Sequence, residues 1–89
     1  MTQYTVIYAP RARRDLRKLP EKIATACVEF IRTVVAEDPY RVGKPLVSPW
    51  VGNYSARRAE WWVIYRIDDP QVLIEVVTIA HRADVYRPR

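Results

Sequence analysis

Between residues 40 and 52 the hydrophobic period of this chain switches from helical to extended, and that switch constrains its fold more than any other feature. Before it, Ile23, Cys27, Phe30, Ile31, Val34 and Val35 recur every three or four positions, which places them on one face of an α-helix. After it, residues 54–58, 60–67 and 72–79 are rich in Val, Ile, Tyr and Trp and alternate in polarity, the pattern of strands with one buried face. The stretch between holds both glycines, Gly43 and Gly52, together with Pro45 and Pro49, and reads as a loop carrying Arg41, Lys44 and Trp50.

Local signals divide the rest. Residues 3–8 alternate and read as a first strand, and Pro10 stands where a helix accepts proline, in its first turn. Ala9, Ala12, Leu16 and Leu19 then form a narrow apolar stripe on a helix whose other faces carry Arg11, Arg13, Arg14, Arg17 and Lys18. Pro20 ends that helix, Glu21 opens a second, and Glu37-Asp38-Pro39 stops it. Asp68-Asp69-Pro70-Gln71 makes a tight connection between the last two strands. The fold class expected is α+β with order β-α-α-β-β-β, an N-terminal helical hairpin packed on one face of a mostly antiparallel four-stranded sheet. The opposite face is then left open.

Size and composition set outer limits. A chain of 89 residues fits one compact domain over 1–89, burying about 60–65% of its extended surface. No apolar run approaches the roughly 18 residues that span a bilayer, and the N-terminus lacks the charge pattern of a secretory leader, so a cytoplasmic protein without membrane contact is expected. Cys27 is the only cysteine and forms no internal bridge. No His/Cys/Asp/Glu set has ligand spacing and no glycine-rich phosphate loop occurs, so neither metal nor cofactor is expected. Fifteen Lys/Arg against ten Asp/Glu give a formal charge of +5, which favours anionic partners; the alternative is a solvated basic surface without a specific ligand.

Three segments carry a resemblance to a known family: Ala-Arg-Arg-Asp-Leu-Arg-Lys-Leu-Pro at 12–20, Arg-Val-Gly-Lys-Pro-Leu at 41–46 and Ile-Ala-His-Arg-Ala-Asp-Val-Tyr at 79–86. Together they resemble toxins of the RelE/ParE superfamily of type II toxin–antitoxin systems, above all the actinobacterial RelE-like ones. The resemblance implies a ribosome-dependent endoribonuclease that cuts messenger RNA and is held inactive by an antitoxin wrapped around it. ParE-type relatives share the fold and poison DNA gyrase instead, and an inactive antitoxin-binding homologue is a third reading. The expected partners are an acidic cognate antitoxin, with which the toxin can form a heterotetramer, and the ribosome with its messenger.

Carried over by position, the resemblance names Arg57, Arg82 and Tyr86 as catalytic, with Ser55 where another cation often stands. The next strand departs from the family pattern. There Trp61-Trp62-Val63-Ile64-Tyr65 places Trp62 where an arginine is expected. Cleavage by the substrate's own 2′-hydroxyl needs a proton acceptor, cations for the charge on the scissile phosphate and an acid for the leaving 5′-oxygen. Arg57 and Arg82 supply charge, and Tyr86 can orient a base or simply pack the tail. Arg13, Arg14, Arg17, Lys18, Lys44, Arg58, Trp62 and His81 complete the RNA-binding candidates. Trp62 can stack on an unpaired base but cannot replace a charge. Arg57 and Arg58 are neighbours on one strand, so they face opposite sides, and His81 is open to a surface or hydrogen-bonded role as well as to acid–base work.

Overall fold

The computed structural model describes residues 3–47 and 50–85. Strand β1 (Thr5–Tyr8) leads into helix α1 (Pro10–Lys18), and Leu19 and Pro20 turn the chain into α2 (Glu21–Phe30). The helix continues for one π-helical turn, Ile31–Val35, before a short α3 (Pro39–Val42). Then come β2 (Lys44–Pro45), β3 (Tyr54–Arg58), β4 (Trp61–Asp68), β5 (Leu73–His81) and a last turn of helix, α4 (Arg82–Val85). The sheet has order β1-β5-β4-β3-β2, with β1 parallel to β5 and the other pairs antiparallel.

The mixed architecture matches the expectation from the hydrophobic periods, with two corrections. Among the described residues the sheet has five strands, because Lys44 and Pro45, in the segment read as loop, pair with Ser55 and Tyr54. Two residues are too few for alternation to show. The same segment holds α3, and its proline at the first helical position suits a helix start.

The core lies between the helices and one sheet face. Ala12, Cys27, Ile31, Val35 and Ala36 from the helical side meet Ala56, Val63, Tyr65, Ile74, Val76 and Ile79 from the strands. The π turn serves this packing. Ala36 N–H reaches Ile31 C=O at 2.9 Å, and the wider turn keeps Ile31, Val35 and Ala36 all buried.

Beyond Tyr8 the edge of β5 has no strand beside it among the described residues, and α1 takes that place. The Asp15 carboxylate accepts the Ile79 N–H at 3.0 Å and the Thr78 hydroxyl at 2.6 Å. A backbone donor is thus satisfied by a side chain from the helix that covers it.

Opposite α1, a tyrosine cluster closes the far end of the sheet. Tyr4 donates to Asp69 at 2.7 Å, Tyr40 donates to the other oxygen of the same carboxylate, and Tyr40 meets Tyr54 edge-on with centroids 5.6 Å apart. Asp69 sits in the β4–β5 turn, so one carboxylate ties the residue preceding β1, α3 and that turn together. The turn is strained: Val72 has φ of 52°, an outlier for a β-branched residue, while its N–H bonds to Asp69 C=O and its C=O accepts Thr5 N–H.

The two hydroxyls hold the Asp69 carboxyl below its ordinary value of 3.8, and the same contact, chiefly the hydrogen bond to Asp69, pushes Tyr40 up to about 12. A lowered carboxyl pKa gives stability that is present above the unfolded value and lost as pH falls through the folded one; a raised phenol pKa gives stability lost as pH rises past 10.0. Wild type should therefore exceed Asp69→Ala in melting temperature most at neutral pH. That gap should close both below the carboxyl range and above the phenol range in thermal scans, and a gap independent of pH would contradict the clip.

Candidate functional site

Parity along the strands decides which side chains share the face away from the helices. Pairs in register point the same way, so Arg57 on β3, Trp62 on β4 and Ala80 on β5 form one row, with Arg57↔Trp62 and Trp62↔Ala80 directly paired. The next row is Lys44–Ser55–Ile64–Thr78. Ser55, Ile64 and Thr78 are buried while Lys44 and Arg57 are exposed, so cations stand at the rim of a sunken row.

One extra residue keeps this arrangement coherent. The β4–β5 ladder shifts between Ile64 and Tyr65, where Thr78 and Val76 are the respective partners and Val77 is left over. Without this bulge, Ile79 and Ala80 would exchange faces relative to Ile74 and Val76. The ladder then runs one step further, because Arg82 N–H donates to Glu60 C=O at 2.8 Å, starting Arg82 on the side of Ala80. Strand spacing and rise put the Cα atoms of Arg57 and Arg82 about 12 Å apart, with Trp62 between them, and those of Lys44 and Arg57 about 8 Å apart. Both arginines are exposed.

Other candidates lie elsewhere. Arg58 pairs with Trp61 on the helix-covered face and lines a cavity of about 370 Å³ with Lys22, Ile23, Ala26 and Cys27. The Cys27 thiol there is pushed up by burial, with Arg58 acting in the opposite sense. His81 also faces this side: its ring meets Trp61 edge-on at 5.1 Å, its Nε2 contacts Glu60 at 3.1 Å, and its Nδ1 accepts the Ala83 N–H at 3.2 Å. The ring thus braces the start of α4 against the β3–β4 connection. Arg13, Arg14, Arg17 and Lys18 are exposed on α1, beside β5, whereas Lys44 is on the opposite sheet edge. Tyr86 lies outside the described residues.

Neither neighbouring arginine replaces the charge absent at Trp62. Arg58 is on the wrong face. Arg66 shares the face of Trp62 but lies four residues along, about 13 Å. It is also engaged by Glu75 at 2.6 Å and approached by Asp68 at 4.0 Å.

Two residues that motif reasoning did not select shape the site. Ala59, in the two-residue β3–β4 connection, has φ of 55° and accepts the Arg57 Nε–H at 2.7 Å. Gly43 seats β2: a Cβ there would stand 2.1 Å from Tyr65 Oη and 3.0 Å from the Ser55 carbonyl oxygen. Tyr65 is fully buried and donates to Pro39 C=O at 2.6 Å, and burial raises its phenol pKa. The Gly43-Lys44 phrase therefore has a steric origin, since only glycine lets the chain pass Tyr65 closely enough to pair Lys44 with Ser55.

The model of the family described as the ParE toxin of the type II toxin–antitoxin system parDE matches residues 6–86. The chain belongs to this toxin family. It is 46% identical over 84 residues to toxin RelG of Mycobacterium tuberculosis, covering 94% of this chain and 97% of that toxin. Toxin RelE of the same organism is also 46% identical, at 94% and 87% coverage. A chain in the crystal structure of the M. tuberculosis RelBE2 toxin–antitoxin complex superposes with a TM-score of 0.88 at 45% identity, covering 94% of this chain and 97% of that one. The protein is thus a RelE-like toxin of a type II system.

For this toxin, Gly43→Ala should lower unfolding free energy by about 1–3 kcal/mol, the cost of overpacking a filled site. Urea unfolding measures it, and a variant as stable as wild type would refute the close-approach role.

Proposed function

We propose that this toxin inhibits translation by cutting messenger RNA at the ribosome, and that it does so weakly because of Trp62. The observation that carries the reading is the row Arg57–Trp62–Ala80 with Arg82 beyond it: two exposed arginines flank the half-buried Trp62 on the sheet face opposite the core. An RNA strand meets the requirements of such a row, with phosphates on the guanidinium forks and a base on the indole. In the reaction the 2′-hydroxyl gives up its proton to water, its oxygen bonds to phosphorus to form a cyclic phosphate, and the bond from phosphorus to the 5′-oxygen breaks as that oxygen takes up a proton. Arg57 holds charge on the phosphate, Arg82 stabilises the leaving side or lends it a proton, and Tyr86 orients a base. Lys44 extends the positive rim, and the cations of α1 at the other sheet edge are suited to ribosomal RNA.

The antitoxin partner follows from the family, and the RelBE2 complex of M. tuberculosis supports it. For a toxin of charge +5, an acidic antitoxin is the complementary partner, in the cytoplasm where ribosomes are found. A heterotetramer is the assembly we assign to the pair.

One observation favours a second reading. Loss of a transition-state cation typically lowers rate by about 10²–10³, so Trp62 suits a protein that binds without cleaving, as a ParE-like gyrase inhibitor would. Purified toxin added to translating ribosomes and to a gyrase supercoiling reaction separates the two. The nuclease reading expects shortened message and unimpeded supercoiling; intact message with blocked supercoiling would overturn it. It also expects Trp62→Arg to raise cleavage by about 10²–10³ and to deepen growth arrest.

A further inference from the structure

The turn between β3 and β4 is two residues long, and hydrogen bonds from both exposed arginines converge on it. The Arg57 Nε–H donates to Ala59 C=O at 2.7 Å. The Arg82 backbone N–H donates to Glu60 C=O at 2.8 Å. The Glu60 side chain adds a third tie at 3.1 Å to His81 Nε2, while His81 Nδ1 accepts the Ala83 N–H in the first turn of α4. Arg57 and Arg82 are 25 positions apart in the chain, yet adjacent carbonyls anchor both.

Ala59 adopts φ of 55°, a region that two-residue hairpin loops usually give to glycine, asparagine or aspartate. A strained residue persists only where its surroundings hold it there, and the surroundings here are these hydrogen bonds. We propose that the Ala59–Glu60 turn is a positioning element for RNA phosphate, its two carbonyls presetting the guanidinium of Arg57 and the start of the Arg82 segment. With Nε–H bonded to the turn, the two terminal nitrogens of Arg57 are left as an oriented fork. An arginine ordered before the ligand arrives loses less freedom on binding it. The turn itself touches no RNA and is not catalytic. This inference rests on the RNA reading of the same face.

Two readouts test it. Nitrogen-15 NMR of arginine side chains follows exchange of the Arg57 Nε–H with water, identified by its loss in Arg57→Lys. Wild type should show exchange slowed relative to exposed Arg11; equal rates overturn the proposal without any variant. Ala59→Gly suits the positive φ and should keep the slowed signal, whereas Ala59→Val disfavours that φ and should lose it. Affinity for a single-stranded oligouridylate should fall about tenfold in Ala59→Val, the size of one charge-assisted hydrogen bond. The same substitution in an Arg57→Lys background should change little. An equal loss in both backgrounds would mean general damage to the hairpin and would overturn the positioning role. Failure of the RNA reading is recognised separately: wild type would then bind no oligouridylate, removing the role of the turn, while the slowed Nε–H would persist.

Discussion

Parity in the central ladder is the constraint on which the site depends. Side chains on a strand alternate between faces, so a slip of one residue between β4 and β5 would exchange the buried set for the exposed one. The Val77 bulge is such a one-residue step, and it is what lets Ile74 and Val76 at one end, and Ile79 at the other, all reach the core. Ala80 and the start of Arg82 follow on the opposite side. The core is therefore the cause and the arginine row the consequence: burial of Val63, Ile79 and Tyr65 against the helices leaves Arg57, Trp62 and Ala80 nowhere to go but the free face.

Much of this was legible in the residues. The period change across residues 40–52, Pro20 between the helices and the Asp-Asp-Pro-Gln turn all lie where the structure has them, because each acts through local backbone geometry. The paired tryptophans sort as alternation requires, Trp61 against the core and Trp62 on the free face. The fifth strand, the parallel pairing of β1 and the bulge were not legible. A two-residue strand carries no period, strand order depends on contacts distant in sequence, and Val77 looks like any other valine of β5. The same limit explains the candidate residues. Alternation alone sets Arg57 and Arg58 on opposite faces, whereas only coordinates show which of the two shares the helix-covered side with His81.

Charge shows the same division. The α1 cations, the Lys44–Arg57 rim and the Arg58–Lys22 pair around the cavity occupy three separate surfaces, so a net charge of +5 describes no single groove. On the free face Arg66 is already matched by Glu75, which leaves Lys44, Arg57 and Arg82 as the cations among the described residues available there. The site is poorer in charge than a count of arginines suggests.

Arg57 and Arg58 offer the most direct measurement, being adjacent in sequence and opposite in direction. Inhibition of cell-free translation would be compared for Arg57→Glu and Arg58→Glu, each checked for a cooperative melting transition. The account predicts that charge reversal at Arg57 abolishes inhibition while reversal at Arg58 leaves it near the wild-type level. Equal loss at both positions, or loss at Arg58 alone, would contradict it.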